Sequence, residues 1–162
     1  NDLANQLKTV ARLIRGGLQS KIFMVQIGGF DTHNNQIDSG TSSLYGRHTE
    51  LLTELSQAVG MFMNDINSDS VGDDVVAVTY SEFGRRVAEN GARGTDHGTA
   101  APHFYISGNV RGGIHGGMAD LEKLKKGDLI FKTDYRSVFE FALRHHLGID
   151  RNIFAEFRSI ES

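Results

Sequence analysis

The run Lys21–Ile27, KIFMVQI, carries apolar side chains on consecutive positions, with Gln26 the lone polar break after its opening lysine. A short, nearly continuous apolar run rich in β-formers predicts a strand covered on both faces, the state of strands in parallel sheets. It is far shorter than the roughly 20 apolar residues of a membrane span. The run empties into GGFDTH, Gly28–His33, so a carboxylate and an imidazole, Asp31 and His33, stand just past its C-terminal end. In open α/β sheets that end is where ligands bind. A second run, VVAVTY (Val75–Tyr80), ends the same way in SEFGRR, which brings Glu82, Arg85 and Arg86. HFYISG is expected as a third strand and DLIFK, Asp128–Lys132, as a short one at an edge.

Helical spacing surrounds these runs. Leu3, Leu7, Val10, Ala11, Ile14 and Leu18 recur at steps of three and four, and Gly16-Gly17 is a natural place for that helix to end. From Leu44 to Ile66 an apolar stripe continues for about six turns, with His48 on it, expected as a packed, hydrogen-bonded histidine rather than a metal ligand. A third helix is expected from Thr133 or Asp134, either of which can cap it, to Gly148. His145 and His146 fall in its last turn, where positive charge is favoured, and being adjacent they point apart. The tail RNIFAEFRSIES is expected to add a helical turn or two. The element order predicts an α/β fold, a layered, partly parallel sheet flanked by helices. We expect residues 1–162 to form a single domain. The chain opens at Asn1 without a methionine and enters a helical pattern at once, so we also expect the C-terminal part of a longer protein.

Composition narrows the function. A net charge of −3 gives no reason to expect nucleic acid as a partner. The absence of cysteine removes disulfides, thiolate metal sites and cysteine nucleophiles. No apolar run is long enough to span a membrane, and no signal peptide is expected within these residues. What remains are clusters of Asp, His and Arg. GTDHGTAAPHFYISG, Gly94–Gly108, holds Asp96, His97 and His103 among small residues that let backbone approach an ion. Carboxylate and imidazole suit zinc and similar divalent ions. The plainer reading is a polar turn whose histidines cap carbonyls, and the second cluster at Asp31 and His33 weighs against it. Arg85 and Arg86, with Glu82, form either a surface turn or a clamp for the oxygens of phosphate or sulfate, with Arg85 the first expected contact and Glu82 supporting the site or adding a ligand. The glycine loop NVRGGIHGG lacks the Lys-Ser/Thr ending of a P-loop and reads as a lid or hairpin tip. No HExxH and no Gly-x-Ser-x-Gly elbow is present. Metal-binding clusters beside arginines suit hydrolysis or transfer at a phosphate or sulfate ester.

The segments GGFDTHNNQ, VVAVTYSEFGRRVAENGARGTDHGTAAPHFYISGNVRGGIHG and DLIFKTDYRSVFEFALRHHLG resemble the C-terminal half of a bacterial family, domain of unknown function 1501. The resemblance covers roughly Leu3 to Gly148, with TDHG and SEFGRR its most specific blocks. It implies an alkaline phosphatase-like fold, in a superfamily of phosphatases, sulfatases and cofactor-independent phosphoglycerate mutases. It implies one divalent ion on Asp31, His33 and His103, and a second on Asp96 and His97 with an Asp from the N-terminal half. The nucleophilic Ser or Thr would come from that half too, and the catalytic residue of this chain is unassigned. Thr95 and Thr99 read as loop-shaping. Zinc is the first expectation, with manganese, iron or calcium as alternatives. The resemblance also implies twin-arginine export, with the exporting signal expected in the part that precedes these residues, hence a periplasmic or envelope setting. The expected function is a metal-dependent hydrolase of phosphate or sulfate esters, acting on an anionic small-molecule or polymer substrate. The competing expectation is a non-enzymatic envelope binding or assembly module that keeps the fold, with or without a structural metal. Self-association, or pairing with a missing N-terminal half, is the partner expectation.

Overall fold

The computed structural model describes residues 1–40, 42, 44–68 and 71–150. The expected helical turns of the tail fall at 151–162, outside the described residues. Helix α1 (Asp2–Arg15) begins where the Asn1 side chain accepts the Ala4 N–H at 2.8 Å, and Arg12 and Arg15 complement its C-terminal dipole. Helix α2 (Arg47–Asn67) follows the Leu44–Ile66 stripe but starts a turn later than its first leucine. Leu3, Leu7 and Ala11 of α1 pack against Ala58, Phe62, Met63 and Ile66 of α2 to make the core. Burying each of the larger side chains stabilises by roughly 1.5–3 kcal/mol.

The two helices run side by side in the same direction. Asn1 donates to the Glu54 carbonyl at one end, and Arg15 grips the Asp65 carboxylate through two nitrogens, at 2.8 and 3.0 Å, at the other. A parallel pair requires the connecting chain to return along it, and Ile22–Ile27 does so in extended form. Phe23, Val25 and Ile27 are half-buried while Ile22, Met24 and Gln26 are exposed, the period of two of an extended chain. Val25 and Ile27 rest on the helix core, and Gln6 bonds both backbone groups of Gln26 at 2.9 and 3.0 Å.

The strands depart from expectation. The layered, partly parallel sheet flanked by helices does not form. In its place the described residues hold three α-helices, a 3-10 turn at Gly72–Asp74 and three antiparallel two-stranded sheets. Strand β1 (Val76–Val78) pairs with β4 (Tyr105–Ser107), Ala77 opposite Ile106. Strand β2 (Gly84–Glu89) pairs with β3 (Thr95–Gly98), and β5 (Leu124–Lys125) with β6 (Asp128–Leu129). An apolar run states which faces must be covered, but not which backbone supplies the hydrogen bonds. Lys21–Ile27 finds cover on the helices for one face, and its other face stays open. Of its backbone groups, those of Gln26 are bonded, to a side chain rather than a strand. VVAVTY keeps its strand character at Val76–Val78 but pairs antiparallel. HFYISG and DLIFK supply β4 and β6.

Helix α3 (Tyr135–Leu147) starts on the Asp134 carboxylate, which accepts the Arg136 N–H at 2.9 Å, and stops at Gly148 with φ of 64°. It leans on the β1–β4 sheet through aromatic rings, Phe141 against Tyr105 at 5.3 Å and Phe139 against Tyr80 at 6.2 Å. Among the described residues no helix is long and apolar enough to cross a membrane.

Candidate functional site

Two distant segments build the site: the loop after the extended chain, and the β2–β3 hairpin. The hairpin turns through Gly91-Ala92-Arg93, closed by the Asn90 N–H bond to Gly94 O at 2.9 Å and with Arg93 in the left-handed region at φ of 57°. The Asn90 side-chain oxygen accepts the N–H groups of Ala92 (2.9 Å) and Gly94 (3.2 Å). Backbone bonds then fasten the loop to this turn: Asn35 N–H to Ala92 O (3.1 Å), Gln36 N–H to Arg93 O (2.9 Å) and Thr95 N–H to Thr32 O (3.3 Å). Gly94 makes the approach possible, since a Cβ there would stand 2.4 Å from the His33 carbonyl group. Below the loop, Thr32 is buried, and the Gln36 amide oxygen accepts from both the Thr32 and Thr95 hydroxyls at 3.0 and 2.9 Å.

On this base Asp31, His33 and His97 converge. One donor atom from each lies within 4.8 Å of the others. Asp31 Oδ1 is 2.8 Å from His97 Nε2 and 3.0 Å from His33 Nε2. The two imidazole rings are 4.8 Å apart, and the Phe83 ring stacks on His97 at 3.9 Å, 5° from parallel. Asp96 Oδ1 meets the other nitrogen of His33, Nδ1, at 3.2 Å. All four polar side chains are exposed, so the cluster is an open surface site.

The charges support one another. The hydrogen bond from His97 holds the Asp31 carboxyl below its ordinary value, with His33, His97 and Arg85 adding attraction against some desolvation. Asp96 is lowered first by the Asn90 amide and then by His33. His48, edge-on to Phe30 at 6.1 Å, is held below the usual histidine range by burial and then by Arg85. It packs as expected from its stripe, but its buried Nδ1 makes no hydrogen bond, where a hydrogen-bonded ring was expected.

Residues 4–154 match a protein family, described as Protein of unknown function (DUF1501). The chain belongs to this family. No curated protein and no solved structure matches it. In this DUF1501 chain, Asp31, His33, Asp96 and His97 come together, and His103 lies outside the group, exposed ahead of β4. Arg85 joins from below: its Nη2 donates to the Thr32 hydroxyl at 2.8 Å, and its Nη1, shut off from solvent, faces Asp31 at 3.6 Å. Arg86 turns toward Asp128 at 3.8 Å, and Glu82 is exposed.

TDHG forms strand β3 rather than a polar turn, and Val87–Glu89 extend β2 up to Asn90, which closes the turn against Gly94. The roles of Gln36, Phe83 and Asn90 had no signal in the chain, because each depends on a contact between segments far apart.

Proposed function

We propose that this DUF1501 chain holds a divalent metal ion, zinc first, on Asp31, His33 and His97, and serves a metal-dependent hydrolase of phosphate or sulfate esters of the alkaline phosphatase-like kind. The observation that carries the reading is the convergence of three donor atoms within 4.8 Å from segments more than sixty residues apart. A carboxylate and two imidazoles, with a side left open, match the donor set of three-ligand zinc sites. Donors around a tetrahedral zinc ion, at about 2.0–2.1 Å from it, lie roughly 3.4 Å from one another. The separations of 2.8 and 3.0 Å at Asp31 therefore need to open by a few tenths of an ångström, while the two imidazole nitrogens, within 4.8 Å of each other, need to draw together around the ion.

The bound ion would neutralise substrate charge, polarise the ester and lower the pKa of an attacking water. The chain's own residues bind and orient. Arg85 steadies the Asp31 carboxylate and Thr32 from below. Arg86, with its side chain 45% exposed against 19% for Arg85, is the cation with room for a substrate's oxygens. Asp31 and Asp96 remain ionised at neutral pH, which keeps both available to the imidazoles and the ion.

A second reading has its own support. The hydroxyls of Thr32 and Thr95 are both committed to Gln36, so neither is placed as a nucleophile. That favours a binding or assembly module with a structural ion for this chain alone. One experiment separates the readings: metal content by plasma mass spectrometry on protein purified without chelator or nickel, with hydrolysis of p-nitrophenyl phosphate and sulfate measured on the same samples. The Asp31→Ala/His97→Ala variant is the control. About one equivalent of metal, lost in the variant together with hydrolysis, supports the hydrolase. Metal without hydrolysis supports the module, and metal-free wild type overturns both.

A further inference from the structure

A histidine that binds a metal through one nitrogen is oriented by whatever holds the other. His33 directs Nε2 toward Asp31, and its Nδ1 meets Asp96 Oδ1 at 3.2 Å. That carboxylate is itself held. The Asn90 amide nitrogen donates to Asp96 Oδ1 at 3.3 Å and to the His33 carbonyl at 2.8 Å. Its amide oxygen accepts from Ala92 and Gly94 in the turn. One side chain thus joins the hairpin turn, the backbone of the Asp31–His33 loop and the carboxylate behind His33.

We propose that Asn90 is a positioning residue of this centre: it sets the Asp96 carboxylate against His33 Nδ1, ties the His33 backbone to the hairpin, and so fixes the orientation in which the imidazole presents Nε2 beside Asp31 and His97. Asp96 then acts on the far side of His33 from the ion. The metal part of this inference rests on the proposed centre, while the orientation of the ring stands on the apo protein. Asn90 is suited to the task by its two-sided amide. The oxygen is used up by the turn's N–H groups, which obliges the nitrogen to face Asp96 and the His33 carbonyl. Aspartate at this position keeps the turn's acceptors but has no donor for either oxygen and places a second carboxylate beside Asp96. Threonine at 90 would keep a hydroxyl donor but lose the reach that spans both segments.

The test compares wild type, Asn90→Asp, Asn90→Ala and Asp31→Ala. The His33 ring orientation is read in the metal-free protein from cross-relaxation between its ring protons and those of His97, whose ring lies 4.8 Å away, and zinc affinity by competition with a chromophoric chelator. Amide exchange at Ala92 and Gly94 reports whether the turn is intact. Wild type is expected to show one His33 orientation with the ring contact to His97 present. Asn90→Asp, with the turn still protected, is expected to weaken that contact and to lower zinc affinity about 10- to 100-fold, the usual effect of losing such support. Asn90→Ala is expected to do the same with faster exchange in the turn. An unchanged ring contact in both variants overturns the inference, as does zinc affinity in both variants equal to that of a zinc-binding wild type. Should wild type and Asp31→Ala bind zinc equally or not at all, the metal centre fails. The ring-contact comparison then decides the Asn90 role by itself.

Discussion

Replacing Gly94 by alanine tests whether the Asp31–His33 loop and the hairpin are held in the register described. The added Cβ would lie 2.4 Å from both the carbonyl carbon and oxygen of His33 and 2.5 Å from the Thr32 oxygen. Ordinary contact begins at 3.4 Å, so the loop must retreat by about 1 Å. These neighbours are backbone atoms, which cannot swing aside as a side-chain tip would. The retreat costs the Thr95–Thr32 bond at 3.3 Å and the Asn90–His33 bond at 2.8 Å, at about 1 kcal/mol each. Residual crowding adds roughly 1 kcal/mol. The expected loss is about 2–4 kcal/mol in urea unfolding, with zinc affinity falling alongside because His33 moves with its backbone. Gly91→Ala is the internal control. It sits in the same turn, its φ is not in the left-handed region, and nothing lies within 4 Å of the added methyl. That variant should be neutral or slightly more stable. If the two alanine variants differ by less than about 0.5 kcal/mol, the close docking of loop on hairpin is wrong.

Two further outcomes follow from the core and from His48. Ile66 is fully buried between α1 and α2, so Ile66→Ala should lose about 2–5 kcal/mol, whereas Met61→Ala, at a position 59% exposed, should change stability by less than about 0.5 kcal/mol. Equal effects in chemical denaturation would mean that the helix pair is not the core. His48 is held below 6.5 when folded, so the unfolded chain takes up that proton more readily. The stabilising contribution is therefore present above pH 6.5 and is lost as pH falls through the lowered folded value. His48→Gln should flatten the acid-side decline of the urea midpoint below pH 6.5, and an unchanged slope would remove His48 from the account.

The helices were legible because their signals are local. The stripe from Leu51 to Ile66 repeats within one turn of itself, and Asp134 and Gly148 mark the ends of α3 by their own chemistry. The site was legible as chemistry for the same reason: Asp31, His33, Asp96 and His97 declare donor atoms by residue type alone. Strand pairing is different. Ala77 meets Ile106 across twenty-eight intervening residues, and an apolar run is equally content with any partner that covers it. Hence KIFMVQI could announce extended chain but not whether a sheet or a helix pair would receive it. Arg85 shows the same division. Its guanidinium charge was evident, yet only the fold decided that it lies under Asp31 with Nη1 closed to solvent. Residue types and periodicity determined the helices and the available donor side chains. The tertiary structure decided which of those side chains meet, because hydrogen bonds between the Asp31–Gln36 loop and the Asn90–Thr95 turn set those distances, and no local preference encodes them.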